Sequence, residues 1–477
     1  MKRRKFICST AIGLTGIGIT SSCNIVDNKP ASKKATNQSL KEVPEYRKHI
    51  KSSFAPGNSK GANDKVIVGI IGLGSWGTNL IIEATKADEN IFVKYACDVD
   101  DTKGGRAVSE LEKIQNFKPI RVRDMRRIFD DKEVDAVFIE TPEHWHALAT
   151  IWACQAGKDV YVEKCVSHNI FEGQQMIQAA MKYERIIQCG TQNRSADYAY
   201  TARDYIKSGE LGEIVAVHVR GLFPGPLNFS EKDNTEAPDT IDWDMWLGPA
   251  PKVPYNITRN KDWLSFWEYG GGNAMANECT HELDLARLVL DNPGFPKSVY
   301  CTGSNYFNPS REIPDYQLAT FDYGNFILTL ETGECMPYMQ KSNAIVRFSD
   351  AFPEWMQNAT RIQILGSKKM MYVGRMGGGW QVYDKEGELV AQEPGYYPLL
   401  PHIKNYFDSV RTRNQPNSNI IEGHKSAIMI HLANLSYRAD NAKLLFSPET
   451  ESISNDDKAF LLSQPSYRNG FEITKNI

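Results

Sequence analysis

The run VIVGIIGLGSWG, from Val66 to Gly77, constrains this chain most: an apolar stretch ends in Gly72, Gly74 and Gly77, and helical periodicity starts beside Trp76. An unbroken Val/Ile run reads as a strand buried on both faces, which implies a parallel sheet covered by helices. Gly72 permits the tight turn, Gly74 lets a ligand approach the backbone, and Gly77 allows close packing of helix on strand. A helix N-terminus placed there directs its free amides at a phosphate. Asp98, twenty-one residues past Gly77, ends the next apolar run. A carboxylate there accepts hydrogen bonds from a ribose 2′-hydroxyl and repels a 2′-phosphate. Strand, turn, helix and acid in this order predict a dinucleotide site for NAD rather than NADP, with Gly72, Gly74, Ser75, Trp76, Gly77 and Asp98 against the cofactor.

The same alternation continues to about residue 206. Strands are expected at Val66–Leu73, Phe92–Val99, Asp135–Thr141, Asp159–Cys165 and Ile186–Thr191, with helices beginning near Trp76, Thr102, Trp145, Asn169 and Ala196. Repeated βα units of this length give an α/β fold whose first part, residues 64–206, is a doubly wound parallel sheet of the Rossmann type. Beyond Gly212 the texture changes. Alternating segments at Glu213–Leu222, Ser298–Phe307, Gln317–Tyr323, Phe326–Thr332, Arg361–Leu365 and Trp380–Tyr383 predict a large, mostly antiparallel open sheet within a second α/β domain, residues 207–441. Helices are expected at about His402–Thr412 and Ser426–Arg438, a long functional loop at Phe223–Gly272, and an irregular tail at 442–477.

The N-terminus, MKRRKFICSTAIGLTGIGITSSC, has another character. Arg3 and Arg4 followed by Phe6 and Ile7 fit a twin-arginine export signal, and the weakly apolar Ile7–Ile19 is too short to span a bilayer. Ser21-Ser22-Cys23 resembles a loose lipobox in which Cys23 is acylated, although Thr20 stands where Leu is preferred and leaves ordinary peptidase cleavage open. Residues 24–63, rich in Lys, Ser, Asn and Pro, read as a flexible tether. The 477 residues, 41% hydrophobic and 24% charged, suffice for roughly two full cores, and the net charge of −3 leaves no electrostatic footprint for nucleic acid. Seven cysteines follow the signal without a CxxC pair, an odd number that argues against a disulfide framework or zinc site. His144 and His146, two residues apart, suit neither one helix face nor an HExxH centre, so no metal is expected.

Five further segments appear in a fixed order: TPEHWH (Thr141–His146), GKDVYVEKC (Gly157–Cys165), GTQNRS (Gly190–Ser195), IDWDMWLGPAP (Ile241–Pro251) and NECTHELDLAR (Asn277–Arg287). Together with the glycine turn they resemble the glucose-fructose oxidoreductase, inositol dehydrogenase and rhizopine-catabolism (Gfo/Idh/MocA) family, over about residues 65–440, and within it the exported sugar-acting branch. The resemblance implies that Lys164 lies beside the nicotinamide and contacts the substrate hydroxyl. It implies a catalytic His281, with Asp284 one turn later orienting the ring or holding substrate. Thr141, Pro142, His146 and Glu163 would lie along the cofactor. Cys165 replaces the usual proline, and Asn277 stands where inositol dehydrogenase-like members carry an aspartate, with Glu278 a possible substitute. Arg194, Tyr255, Trp263, Asn277 and His281 are the candidate substrate contacts, because aromatic faces stack on sugar rings and arginine binds hydroxyls.

These residues predict an exported, periplasmic, NAD-dependent dehydrogenase acting on a ring secondary alcohol of a sugar or glycoside. Outside the cytoplasm the soluble nicotinamide pool is out of reach, so tight cofactor retention is expected. Two other functions remain: an NAD-dependent glycosidase or lyase working by transient oxidation and elimination, and a non-catalytic sugar-binding or sensing protein. Membrane contact is expected only through a lipid on Cys23, and the open sheet is expected to form a homo-oligomer interface.

Overall fold

The computed structural model describes residues 44, 47, 50–54, 61, 64–225, 228–475 and 477. The export signal, Cys23 and most of the 24–63 tether lie outside the described residues. Six strands open the fold: β1 Val66–Ile71, β2 Ile91–Cys97, β3 Ile120–Val122, β4 Ala136–Ile139, β5 Asp159–Val162 and β6 Ile187–Cys189. They pair in parallel in the order β3-β2-β1-β4-β5-β6. Burial explains the sheet, because Val68, Ile70, Val137, Phe138, Val160 and Tyr161 are all inaccessible. Helices Ser75–Ala87, Glu143–Gln155 and Ile170–Tyr183 connect these strands. The order reverses between β1 and β4, and such a switch point opens a crevice at the strands' carboxyl ends.

A second sheet has ten strands. Its members are β7 Ile214–Leu222, β8 Ser298–Ser304, β9 Tyr316–Asp322, β10 Ile327–Gly333, β11 Thr360–Gly366, β12 Met370–Gly374, β13 Trp380–Tyr383, β14 Leu389–Glu393, β15 Leu444–Ser447 and β16 Ser452–Ile453. They run β14-β13-β12-β11-β7-β10-β9-β8-β15-β16, antiparallel except for the β7–β10 pair. Val217, Val219, Leu328, Leu330, Ile362 and Ile364 are buried on the face covered by helices Cys279–Val289 and Ile420–Arg438. On the opposite face His218, Arg220, Glu331, Arg361 and Gln363 are half-buried, the alternation of a sheet with one open side.

Five strands in the two sheets, β3, β12, β14, β15 and β16, escaped the sequence pattern. β3 is three residues long, β12 sits beside a Lys/Ser stretch and a Gly-rich one, and β14 is an exposed edge. The tail is also more ordered than its composition suggests: β15 pairs Leu444 with Val299 of β8, and Asp457–Leu462 is helical.

Candidate active site

The crevice above the ends of β1, β2 and β4 forms a cleft of about 320 Å³ lined by Gly72, Gly74, Asp98, Thr141, Pro142 and Trp263 among others. Gly72 has φ 95°, and a Cβ there would lie 2.5 Å from the Glu140 carbonyl oxygen, so only glycine turns this corner. A Cβ at Gly77 would lie 2.3 Å from the Gly72 carbonyl. At Gly74 the same test meets nothing within 4 Å, which leaves the backbone open to a ligand. Gly74 caps helix Ser75–Ala87 without a side-chain hydrogen bond, so no side chain competes for its first-turn amides. Thr141 Oγ1 and both Glu140 carboxyl oxygens are buried there without a partner. Open turn, uncapped helix and orphaned polar atoms together fit a bound dinucleotide.

Asp98 accepts from Leu73 N at 2.7 Å through one oxygen and from Asp100 N at 2.9 Å through the other. Burial pushes its carboxyl up, and those amides pull it back. Each oxygen keeps a lone pair for a ribose hydroxyl. Asp98→Ala is expected to weaken NAD binding roughly 10- to 100-fold, the loss of charge-assisted hydrogen bonds, and to narrow the preference over NADP. Fluorescence titration of nucleotide-free protein reads both effects.

A second cavity, of about 330 Å³, adjoins the cleft and shares Glu140, Thr141 and Trp263 with it. Trp76, Glu163, Lys164, Asn277 and His281 also line it. Lys164 follows β5, and its Nζ donates to Asn277 Oδ1 at 2.5 Å. Glu163 supports it from below by accepting from Trp76 Nε1 at 2.8 Å and from Lys164 N at 3.1 Å. The Lys164–Cys165 peptide bond is cis. His146 links this segment to the cofactor cleft, with Nδ1 2.7 Å from Cys165 O and Nε2 2.8 Å from Thr141 O. Burial drives its imidazole down to about 4, so the neutral ring donates to only one of those carbonyls.

Asn277 and His281 come from one continuous element: a π-helical turn, Gly272–Glu278, runs directly into helix Cys279–Val289. Four residues apart, they share a face. His281 is 5% exposed and its Nδ1 has no partner. Burial, then the cations Arg375, Lys164 and Lys341, push its pKa well below the ordinary value, so the ring is neutral and able to accept a proton. Its folded-state pKa is depressed, so protonation on acidification through about pH 6.5 occurs in the unfolded chain, not at the site. Turnover measured against pH is therefore expected to show no acid limb with a midpoint near the ordinary histidine value.

Residues 66–191 match the oxidoreductase family's NAD-binding Rossmann fold, and residues 203–305 match its C-terminal alpha/beta domain. This chain belongs to the Gfo/Idh/MocA family. Inositol 2-dehydrogenase of Salmonella typhimurium is 28% identical over 153 residues, 32% of this chain and 44% of that protein. The chain thus spans under half the length of the inositol dehydrogenases it matches. A glycosyl hydrolase family 109 protein of Shewanella baltica is 27% identical over 187 residues, 38% of each chain. The structure of levoglucosan dehydrogenase in complex with NADH and levoglucosan superposes with a TM-score of 0.58 at 16% identity, over 80% of this chain and 99% of that one, and shows the shared fold. The protein is thus an NAD-binding member of an oxidoreductase family.

Within this family site, several expected residues stand elsewhere. Arg194 is 3% exposed, and its Nε donates to both Asp284 oxygens at 2.9 Å, so it is no substrate contact. Asp284 also accepts from Ser426 Oγ at 2.7 Å and lines neither cavity, so it does not orient His281. Two charges so deeply buried must pair, and they found each other. Tyr255 packs edge-on against Trp243 at 5.1 Å in an aromatic cluster beside the cleft and reaches neither cavity. Glu278 cannot replace the family aspartate, because Lys341 at 2.6 Å and Arg375 at 2.7 Å already hold it. Burial opposes its charge, but those cations outweigh burial and keep it near about 2. Ser75 opens the helix after the glycine turn, while Trp76 and Trp263 do reach the second cavity. Gln192 of the GTQNRS segment also lines it, and Lys341, Arg375, Met376 and Tyr397 reach it from segments without a local motif. Glu140 carried a signal that sequence reading passed over, an acid ending an otherwise apolar strand. Burial and the nearby Glu163 push its carboxyl well above the usual range.

Proposed function

We propose that this protein is an exported, NAD-dependent enzyme that oxidises a ring secondary alcohol of a sugar or glycoside to a keto-sugar and keeps its cofactor bound. The observation that carries the reading is the convergence of Lys164 Nζ, Asn277 and a neutral His281 in one cavity that opens into the dinucleotide cleft. Bound NAD supplies the hydride acceptor. Lys164 has three ammonium hydrogens and gives one to Asn277, which leaves donors for the hydroxyl oxygen of the substrate. His281, its ring neutral and able to accept, takes the hydroxyl proton. Asn277, fixed by Lys164 on its oxygen and donating to Asn273 at 2.8 Å, sets the angle of the lysine.

Retention of the cofactor follows from the twin-arginine-like N-terminus, since that route carries folded, loaded proteins. Protein purified without added nucleotide is expected to release about one NAD per chain on denaturation; a folded, nucleotide-free protein would contradict retention. The open face of the ten-stranded sheet supports assembly of several copies, and sedimentation of an Arg220→Glu, Arg361→Glu variant as a monomer would agree.

Resemblance to the family 109 glycosyl hydrolase favours a second reading. In it, oxidation acidifies a neighbouring C–H, elimination breaks the glycosidic bond, and the hydride returns. Release of free aglycone without any acceptor distinguishes it from net oxidation.

A further inference from the structure

A separate cavity of about 240 Å³ lies between the start of helix Ile170–Tyr183, helix Ile420–Arg438, the segments 249–251 and 267–271, and the chain's end at 462–467. The TPEHWH segment divides it from the catalytic side, because His146 faces Thr141 and Cys165 whereas His144 lines this second space. We propose that it binds a hydroxylated carboxylic acid the size of one sugar ring, such as a uronic acid.

The argument starts from Arg438. Its guanidinium lies over the Trp267 ring at 5.0 Å, and among the described residues it makes no ion pair or hydrogen bond. The buried arginines Arg194, Arg287, Arg311, Arg375, Arg411 and Arg413 each hold a carboxylate. Arg438, half-buried on the cavity wall, has no such bonded partner: the charge of Glu312 acts on it without a bond, and the two acids that line the same cavity are held elsewhere. Glu172 is engaged, accepting from His168 N at 2.7 Å and from the Tyr467 hydroxyl at 3.2 Å. Glu268 is held by Arg259 at 2.6 Å. The planar guanidinium fork therefore has five donors and no acceptor, and a carboxylate matches that fork in two parallel hydrogen bonds.

The same cavity offers acceptors without donors. His144 Nε2 lies 3.0 Å from the Trp246 carbonyl, and a carbonyl only accepts, so Nε2 carries the hydrogen and Nδ1 keeps its lone pair. That Nδ1 is buried and has no partner. His168 is arranged alike, with Nε2 2.7 Å from the Trp267 carbonyl. Burial holds both rings neutral, at about 3 and about 4. A ligand that satisfies both ends must carry an anion for Arg438 and hydroxyl donors for the histidines. The volume falls just under the usual range for small-molecule pockets, about 300–1,000 Å³, and suits a single ring. The loop joining Trp263 to Gly271 borders both this cavity and the catalytic one, and Gly271 is pinned at both ends: its N donates to Glu143 Oε2 at 2.8 Å and its carbonyl accepts from Asn434 at 3.0 Å.

Isothermal titration of the purified, cofactor-loaded protein with sodium glucuronate tests the proposal, with glucose and inorganic phosphate as comparison probes. Glucuronate is expected to bind at least about tenfold more tightly than either, as one charge-assisted pair would give. Arg438→Met keeps the apolar stem over Trp267 and should weaken binding by about tenfold or more, Arg438→Lys by less, and Lys164→Ala by less than about twofold. Absence of glucuronate binding, equal binding of glucose or phosphate, or loss of binding through Lys164→Ala instead of Arg438 would each overturn it. If Arg438→Met fails to fold, the probe ranking and the Arg438→Lys variant still decide.

Discussion

Lys164→Ala is expected to lower turnover by about 10²- to 10⁴-fold, the range of a proton-handling group, while leaving NAD on the protein. The two effects separate because the residues that cradle the dinucleotide do not depend on the lysine. Gly72, Gly74 and the uncapped helix at Ser75 follow β1, and Asp98 follows β2. Lys164 reaches the neighbouring cavity from the end of β5, and its one side-chain hydrogen bond among the described residues goes to Asn277. Lys164→Arg should recover little, because a planar fork does not replace a compact ammonium at the same point. Turnover is read on the best substrate of a sugar panel, and occupancy from the nucleotide released on denaturation. Unchanged turnover would remove the lysine from the chemistry; lost NAD would make it a cofactor residue instead.

The largest expected effect on folding is at Asp284. Its carboxylate accepts two bonds from Arg194 and one from Ser426, and lies 3.8 Å from Arg287, all in the interior. Asp284→Ala leaves these cations to Glu422 alone, which sits 3.3 Å from Arg194 and 2.9 Å from Arg287. Removing one partner from a buried ionic cluster costs about 3–5 kcal/mol, which a urea unfolding midpoint registers directly. Asp284→Asn retains an acceptor and should lose less. A variant that unfolds like the parent but no longer turns over would return Asp284 to the catalytic role that its place after His281 suggested.

That contrast marks what could be read from residues alone. The glycine turn, Asp98 and the βα alternation depend on neighbours close in the chain, so their geometry was legible. The positions of Lys164 and His281 in one cavity followed from motif order, although 117 residues separate them. Arg194 misled because an arginine in a loop near the site looks free until its partner, ninety residues on, is folded against it. Glu278 misled likewise, since Lys341 and Arg375 arrive from segments with no local mark of function. Tyr255 was judged by its chemistry, but the aromatic cluster around Trp243 and Trp246 had a stronger claim on it. Short or exposed strands such as β3 and β14 carry too few apolar positions to show a period.

The central claim, that bound NAD is used for net oxidation of a sugar alcohol, is tested most directly by mass spectrometry of the products formed from a panel of glucosides and galactosides on the cofactor-loaded protein. The account predicts a keto-sugar lacking two hydrogens, formed as reduced-nicotinamide absorbance rises on the protein. Free aglycone released in the absence of any acceptor, with no keto-sugar and no lasting reduction of the cofactor, would contradict it.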